Sequence, residues 1–128
     1  MNDCTFCGIV AGTEPAQVVW RWGDAVAFLP FVDEWGCRDC TEGHLLVVPI
    51  RHVADASEDY AVTGMVAARA AELATLTYIS DFHLITNCGP WADQTEFHLH
   101  WHIVPRREND GLVMPWTAQQ KRTEGRHA

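Results

Sequence analysis

The amino-acid sequence predicts an α+β fold: a five-stranded, largely antiparallel sheet with one long and one short helix. Three observations lead there. Strand-like and helix-like segments do not alternate strictly, which argues against a parallel sheet. Two short apolar runs flank Gly23-Asp24, as the arms of a hairpin do. Only one stretch sustains helical spacing over several turns. The 128 residues suit a single domain over 1–128, and an apolar content of 48% is enough for a core.

Residues 4–11 read as a short helix closed by Gly12 and Pro15. Val18–Trp22 and Ala25–Leu29 read as strands. Pro30–Glu42 is rich in turn formers and reads as a loop. His44–Pro49 is continuously apolar after its histidine, the pattern of a central strand covered on both faces. A helix is expected from about Ser57 to about Leu76, with Ser57 as N-cap and Glu58 and Asp59 at its positive end. Its buried face is expected to be Val62, Met65, Val66, Leu73 and Leu76. Phe82–Asn87 and Glu96–Val104 complete the strands, with the loop Cys88–Asp93 between them. The tail from about residue 107 has no period and is expected to be extended or to lie on a neighbouring subunit.

The formal charge of -8 disfavours generic nucleic-acid binding, which depends on Lys and Arg neutralising phosphates. A small phosphorylated ligand remains compatible with it, through a locally favourable pocket. No run is long enough for a membrane span. No basic-then-apolar leader opens the chain. Five cysteines in that context point to a reducing, cytoplasmic location.

The chemistry concentrates in Phe97–Arg106, where His98, His100 and His102 alternate with Leu99, Trp101 and Ile103. On a strand, alternate side chains share a face and lie about 6.5–7 Å apart. A ladder of titratable rings has no use in a core, so three in register mark a site. The spacing leaves two chemistries open: three rings on a catalytic metal, or one neutral ring as nucleophile oriented by its neighbours. Cys4-x-x-Cys7 has the spacing of a zinc half-site. Cys37-x-x-Cys40 has the same spacing. It is either half of a second metal site, with Cys88 as a weak further ligand, or a pair of reduced or reversibly bridged thiols.

Taken in order, these segments resemble the histidine-triad (HIT) family. The resemblance rests on His98-Leu99-His100-Trp101-His102-Ile103-Val104, on Asn87-Cys88-Gly89 and Gln94-Thr95 upstream, and on the run Gly43–His52. Cys4-Thr5-Phe6-Cys7 followed by Ile9–Gly12 is similar to the opening of zinc-containing bacterial members. The match runs over about 4–107.

The resemblance implies a HIT-like fold and nucleotide hydrolysis at the α-phosphorus of nucleoside phosphoramidates or dinucleoside polyphosphates. The bound portion would be AMP-like. His100 would be the nucleophile. It is uncharged near pH 7, given an ordinary imidazole pKa of about 6.5, and its Nε2 is free when Nδ1 donates to an acceptor. His102 would contact phosphate, adding positive charge there if protonated. His44 would lie near the nucleophile, although a lone strand histidine is as readily structural. Gln94 and Thr95 would donate to phosphate oxygens, as would Asn87.

His52 and His98 would complete a Cys₂His₂ zinc site with Cys4 and Cys7, closed and therefore structural. Glu96 would accept a hydrogen bond from His98. A homodimer is also implied. Nucleotidyl transfer, and nucleotide binding with little turnover, are the alternatives. Pro30 stands where many members carry a ribose-binding Asp, leaving Asp33 as the candidate substitute. Trp91 and Trp116 are candidate contacts for substrate or a second subunit, or else ordinary rim aromatics.

Overall fold

The computed structural model describes residues 4–31, 41–77 and 79–114. Asp33, Cys37, Cys40 and Trp116 lie outside the described residues.

Helix α1 spans Thr5–Ala11, with Cys4 as its N-cap and Gly12 closing it in the left-handed conformation at φ 81°. Strands β1 (Val18–Arg21) and β2 (Ala25–Phe28) form the expected hairpin. Next come β3 (Leu45–Pro49), α2 (Tyr60–Leu76), β4 (Phe82–Ile85) and β5 (Trp101–Pro105). The sheet order is β1-β2-β3-β5-β4, and every neighbouring pair is antiparallel. β3 is central and all five of its residues are buried, as its unbroken apolar run requires.

Strand alternation divides the apolar residues between two faces. Ala25, Ala27, Leu45, Val47 and Ile103 pack with Leu99 against Val66, Ala70, Leu73 and Ala74 of α2. Val26, Phe28, Leu46 and Val48 pack against Phe6 and Ile9 of α1. Leu46 pairs with His102 across β3 and β5, so the histidines belong to the α1 face. Arg69 of α2 forks onto Asp24 at 3.0 and 3.2 Å, and Trp22 donates to Glu72 at 2.8 Å. These contacts tie α2 to the hairpin turn.

The structure corrects the reading in three places. Helix α2 begins at Tyr60 with Asp59, not Ser57, as N-cap; the Asp59 carboxylate accepts from Ala61 N at 3.0 Å and Val62 N at 3.2 Å. Ser57 instead turns its backbone N–H and hydroxyl onto Asp55. Leu76 is 59% exposed, and Ala70 and Ala74 fill the buried stripe. The last strand begins at Trp101 rather than Glu96. Its ladder with β3 ends at the Val47–Trp101 pair, and beyond it the Pro49 carbonyl is bonded to the ring of His98 at 2.9 Å.

Candidate functional site

His98, His100 and His102 enter from the segment leading into β5 and from β5 itself, and His44 from the residue before β3. His44, His98 and His100 are buried. The rings form a chain: His44 and His102 stack at 5.1 Å, and His102 meets His100 edge-on, also at 5.1 Å. Each ring is held differently. His100 Nδ1 lies 2.9 Å from the His98 carbonyl, an acceptor only, so Nδ1 carries the proton and Nε2 the lone pair. Thr86 donates its hydroxyl to the His100 carbonyl at 2.8 Å, fixing the backbone at the same point. His102 Nδ1 lies 2.9 Å from His44 Nε2. His102 Nε2 is buried with no hydrogen-bond partner among the described residues.

Burial governs the charge of these rings. It pushes His102 down to about 3, helped by the neighbouring His100 and His44. It lowers His100 as well, opposed by the hydrogen bond to His98 and the charge of Glu96. Both are therefore neutral at pH 7 in the free protein. The condition under which His102 would add positive charge, a protonated ring, is thus opposed in the free protein by burial and by the rings around it.

The loop before the histidines is built by Gln94, which is 4% exposed. Its side-chain oxygen accepts from Gly89 N at 2.8 Å, and its amide donates to Ala54 O at 2.8 Å and Glu96 O at 3.0 Å. Gln94 thus bonds backbone on three sides, where the sequence suggested a phosphate donor. Asn87 is half-buried and Thr95 exposed in this loop. Trp91, on a single 3₁₀ turn at Pro90–Ala92, is fully exposed.

Below the nucleophile candidate, Cys4, Cys7, His52 and His98 bring one ligand atom each within 4.8 Å of one another. His98 Nδ1 is 3.4 Å from both sulfurs and 3.1 Å from His52 Nδ1, and Cys7 Sγ is 3.2 Å from His52 Nδ1. Zinc at about 2.3 Å from sulfur and about 2.0–2.1 Å from nitrogen sets tetrahedral edges of about 3.3–3.8 Å. Two of the four separations match those edges and two fall slightly short of them, so small shifts of the side chains would let the group close on such an ion. The bond from His98 Nε2 to the Pro49 carbonyl leaves Nδ1 as the lone-pair nitrogen, as a ligand needs. This carbonyl, not Glu96, is the acceptor for His98. Burial pushes His98 down to about 4, which favours the neutral, metal-binding ring.

The HIT domain family model matches residues 12–109. The chain belongs to the HIT family. An uncharacterized HIT-like protein of Mycobacterium tuberculosis is 36% identical over 130 residues, covering 98% of this chain and 86% of that protein. The adenosine 5'-monophosphoramidase of Saccharomyces cerevisiae is 29% identical over 121 residues, covering 91% of this chain and 72% of the enzyme. The crystal structure of a zinc-bound histidine triad family protein from Mycobacterium smegmatis superposes with a TM-score of 0.69 at 31% identity, covering 94% of this chain and 87% of that one. A metal centre is thus found in a HIT relative, and this chain has a four-residue cluster fit to hold one. No helix among the described residues is long and apolar enough to cross a membrane.

Sequence reasoning missed Phe6, Thr86 and the Pro49 carbonyl. Phe6 lies between the two cysteines and sends its ring to His100, at 5.2 Å between centroids. Its placement inside Cys4-x-x-Cys7 was the available signal. The other two act through single hydrogen bonds that no spacing announces.

Proposed function

We propose that this HIT protein hydrolyses an AMP-like purine nucleotide derivative at its α-phosphorus, with His100 as nucleophile. The substrate class is a nucleoside phosphoramidate or a dinucleoside polyphosphate. The observation carrying this reading is the His100 ring, neutral, protonated on Nδ1 by its bond to the His98 carbonyl, with its Nε2 lone pair available. The lone pair forms a bond to phosphorus as the bond to the leaving nitrogen or bridging oxygen breaks. The leaving group takes that electron pair and a proton from solvent. Water then adds to phosphorus, the phosphorus–Nε2 bond breaks, its pair returns to the ring, and a nucleoside monophosphate is released. Dividing one transfer into two lowers the barrier to each. The orphaned His102 Nε2 suits a phosphoryl oxygen, since a buried polar atom left unpaired costs about 1–3 kcal/mol. His44 sets the tautomer of His102 from the other side of that ring. Thr95 and Asn87 are the remaining phosphate donors we assign, and Asp33 the ribose contact; Gln94 acts by shaping the loop. The yeast relative's activity on an adenosine phosphoramidate supports the phosphorus–nitrogen substrate.

Zinc at Cys4, Cys7, His52 and His98 would be structural, because four protein ligands close its coordination sphere. When bound, it supplies a cross-link between α1 and the two histidine segments. The same reading includes a homodimer, with the tail beyond about residue 107 against the partner, and a cytoplasmic location for the reduced thiols.

The test is hydrolysis of adenosine 5'-monophosphoramidate by the purified chain. His100→Ala should lower turnover at least about a thousandfold while metal stays near one ion per chain. A phosphorus–nitrogen adduct on His100, trapped and located by mass spectrometry, would establish the intermediate. Loss of metal in His100→Ala would favour a three-histidine metal site instead. AMP binding without cleavage of any adenylyl compound would leave a nucleotide-binding module.

A further inference from the structure

Phe6 belongs to the metal cluster by sequence and to the histidine cluster by contact. It is 2% exposed. Its ring stands edge-to-face on His100 at 5.2 Å and 88°, on Phe28 at 5.3 Å, and on His98 at 6.0 Å. His102 faces His100 at 5.1 Å. The bond from His100 Nδ1 to the His98 carbonyl fixes which nitrogen carries the proton. A single hydrogen bond still leaves the ring able to rock about that bond, because its angular dependence is shallow near linearity. Phe6 and His102 limit that motion by packing.

We infer that Phe6 is a positioning residue for His100, and that the Cys4–Cys7–His52–His98 clip sets the aim of the nucleophile through it. The inference rests on the reading of His100 as nucleophile. Helix α1 has seven residues and buries only Phe6 and Ile9. A helix of that length does not persist on its own propensity. An ion shared by Cys4 and Cys7 with His52 and His98 would therefore keep Phe6 seated. His98 adds a second path, since it supplies both a ligand nitrogen and the carbonyl that holds His100. When the clip opens, α1 loosens, Phe6 leaves the ring, and Nε2 samples directions away from the in-line approach to phosphorus. Ile9 anchors the same helix in the same apolar cluster but carries no ring, which makes it the control.

The experiment compares wild type, Phe6→Leu and Ile9→Ala, each loaded with zinc and assayed for metal. Phe6→Met replaces Phe6→Leu if the latter fails to fold. Two readouts are taken: kcat and KM for adenosine 5'-monophosphoramidate, and nitrogen–proton correlation spectra of the histidine rings. Phe6→Leu is expected to keep about one metal per chain and KM within about twofold, and to lose about ten- to a hundredfold in kcat, the scale of a misaimed reacting group. Its His100 ring signals should broaden or split between tautomers, and wild type stripped by a chelator should show the same spectral change. Ile9→Ala should lose stability but keep kcat and a single Nδ1-protonated tautomer. Wild-type kcat with one sharp tautomer in Phe6→Leu, or an equal kcat loss in Ile9→Ala, would overturn the inference. Should His100→Ala retain full turnover, the nucleophile assignment fails, while the ring spectra still decide whether Phe6 orders His100.

Discussion

The two faces of the sheet are covered by different means. On one, the 17-residue α2 lays Val66, Ala70, Leu73 and Ala74 over Ala25, Ala27, Leu45, Val47 and Ile103. That helix is long enough, well capped by Asp59, and tied to the hairpin by Arg69 and Glu72. On the other face the cover is seven residues with two buried side chains, next to five histidines and two cysteines. The family match begins at residue 12, just after α1, so Cys4 and Cys7 lie outside it while His52 and His98 lie within. Apolar packing covers the first face, whereas the second combines the smaller Phe6–Ile9 cluster with four side chains that could hold a metal ion. The face that holds the histidines is thus the one with less apolar material, because polar rings occupy the space.

The largest break in this contrast is expected from Cys7→Ser. Metal content should fall to near zero, and amide exchange over 5–12 should rise toward unprotected rates, while amides of α2 stay protected. Equal exposure of both helices would show that the two faces are one cooperative unit. Next in size is Leu73→Ala, which empties a buried site on the α2 face. It should cost about 2–5 kcal/mol in denaturant unfolding and leave metal stoichiometry untouched; loss of metal along with stability would join the faces again.

Acid should find the histidine face third. His102 has a folded pKa of about 3, below the ordinary 6.5, so the folded state resists a proton that the unfolded chain accepts. Its contribution to stability is complete above about pH 6.5 and declines as pH falls from there toward 3. His102→Asn should flatten part of that decline in urea midpoints measured between pH 7 and pH 4; an unchanged slope would contradict the assignment. The smallest effect is expected from Asp59→Ala, which removes the α2 cap. A loss of about 1 kcal/mol is anticipated, with little from the exposed Arg51 partner. A thermal shift indistinguishable from zero would mean that packing alone sets the start of α2.

How far the sequence could be read differs between the same two regions. The central strand announced itself, since Leu45–Pro49 is apolar without interruption and is buried on both sides. Alternation placed Leu99 and Ile103 in the core and His100 opposite them. Spacing and resemblance assembled the four candidate metal ligands that the fold brings together from three separate segments. Hydrogen-bond partners were not legible. Nothing in the composition of Gly89–Glu96 says that Gln94 turns inward to backbone. Nothing says that the Pro49 carbonyl, past the last β3–β5 pair, accepts from the ring of His98. Helix boundaries failed for a related reason: both Ser57 and Asp59 are good caps, and only the path of the chain decides which reaches the free amides.

His98 is a junction. Its Nδ1 points to the cysteines and His52, its Nε2 to the end of the central strand, and its carbonyl to the ring two residues on. A fault there cannot stay local: any replacement removes a candidate metal ligand, unties a strand end and disturbs the peptide that selects a neighbour's tautomer, all at once. Genetic variation at this position should therefore be intolerable in a way that reveals no single cause. The separate strands of its role are open to dissection only from the far end of each tie.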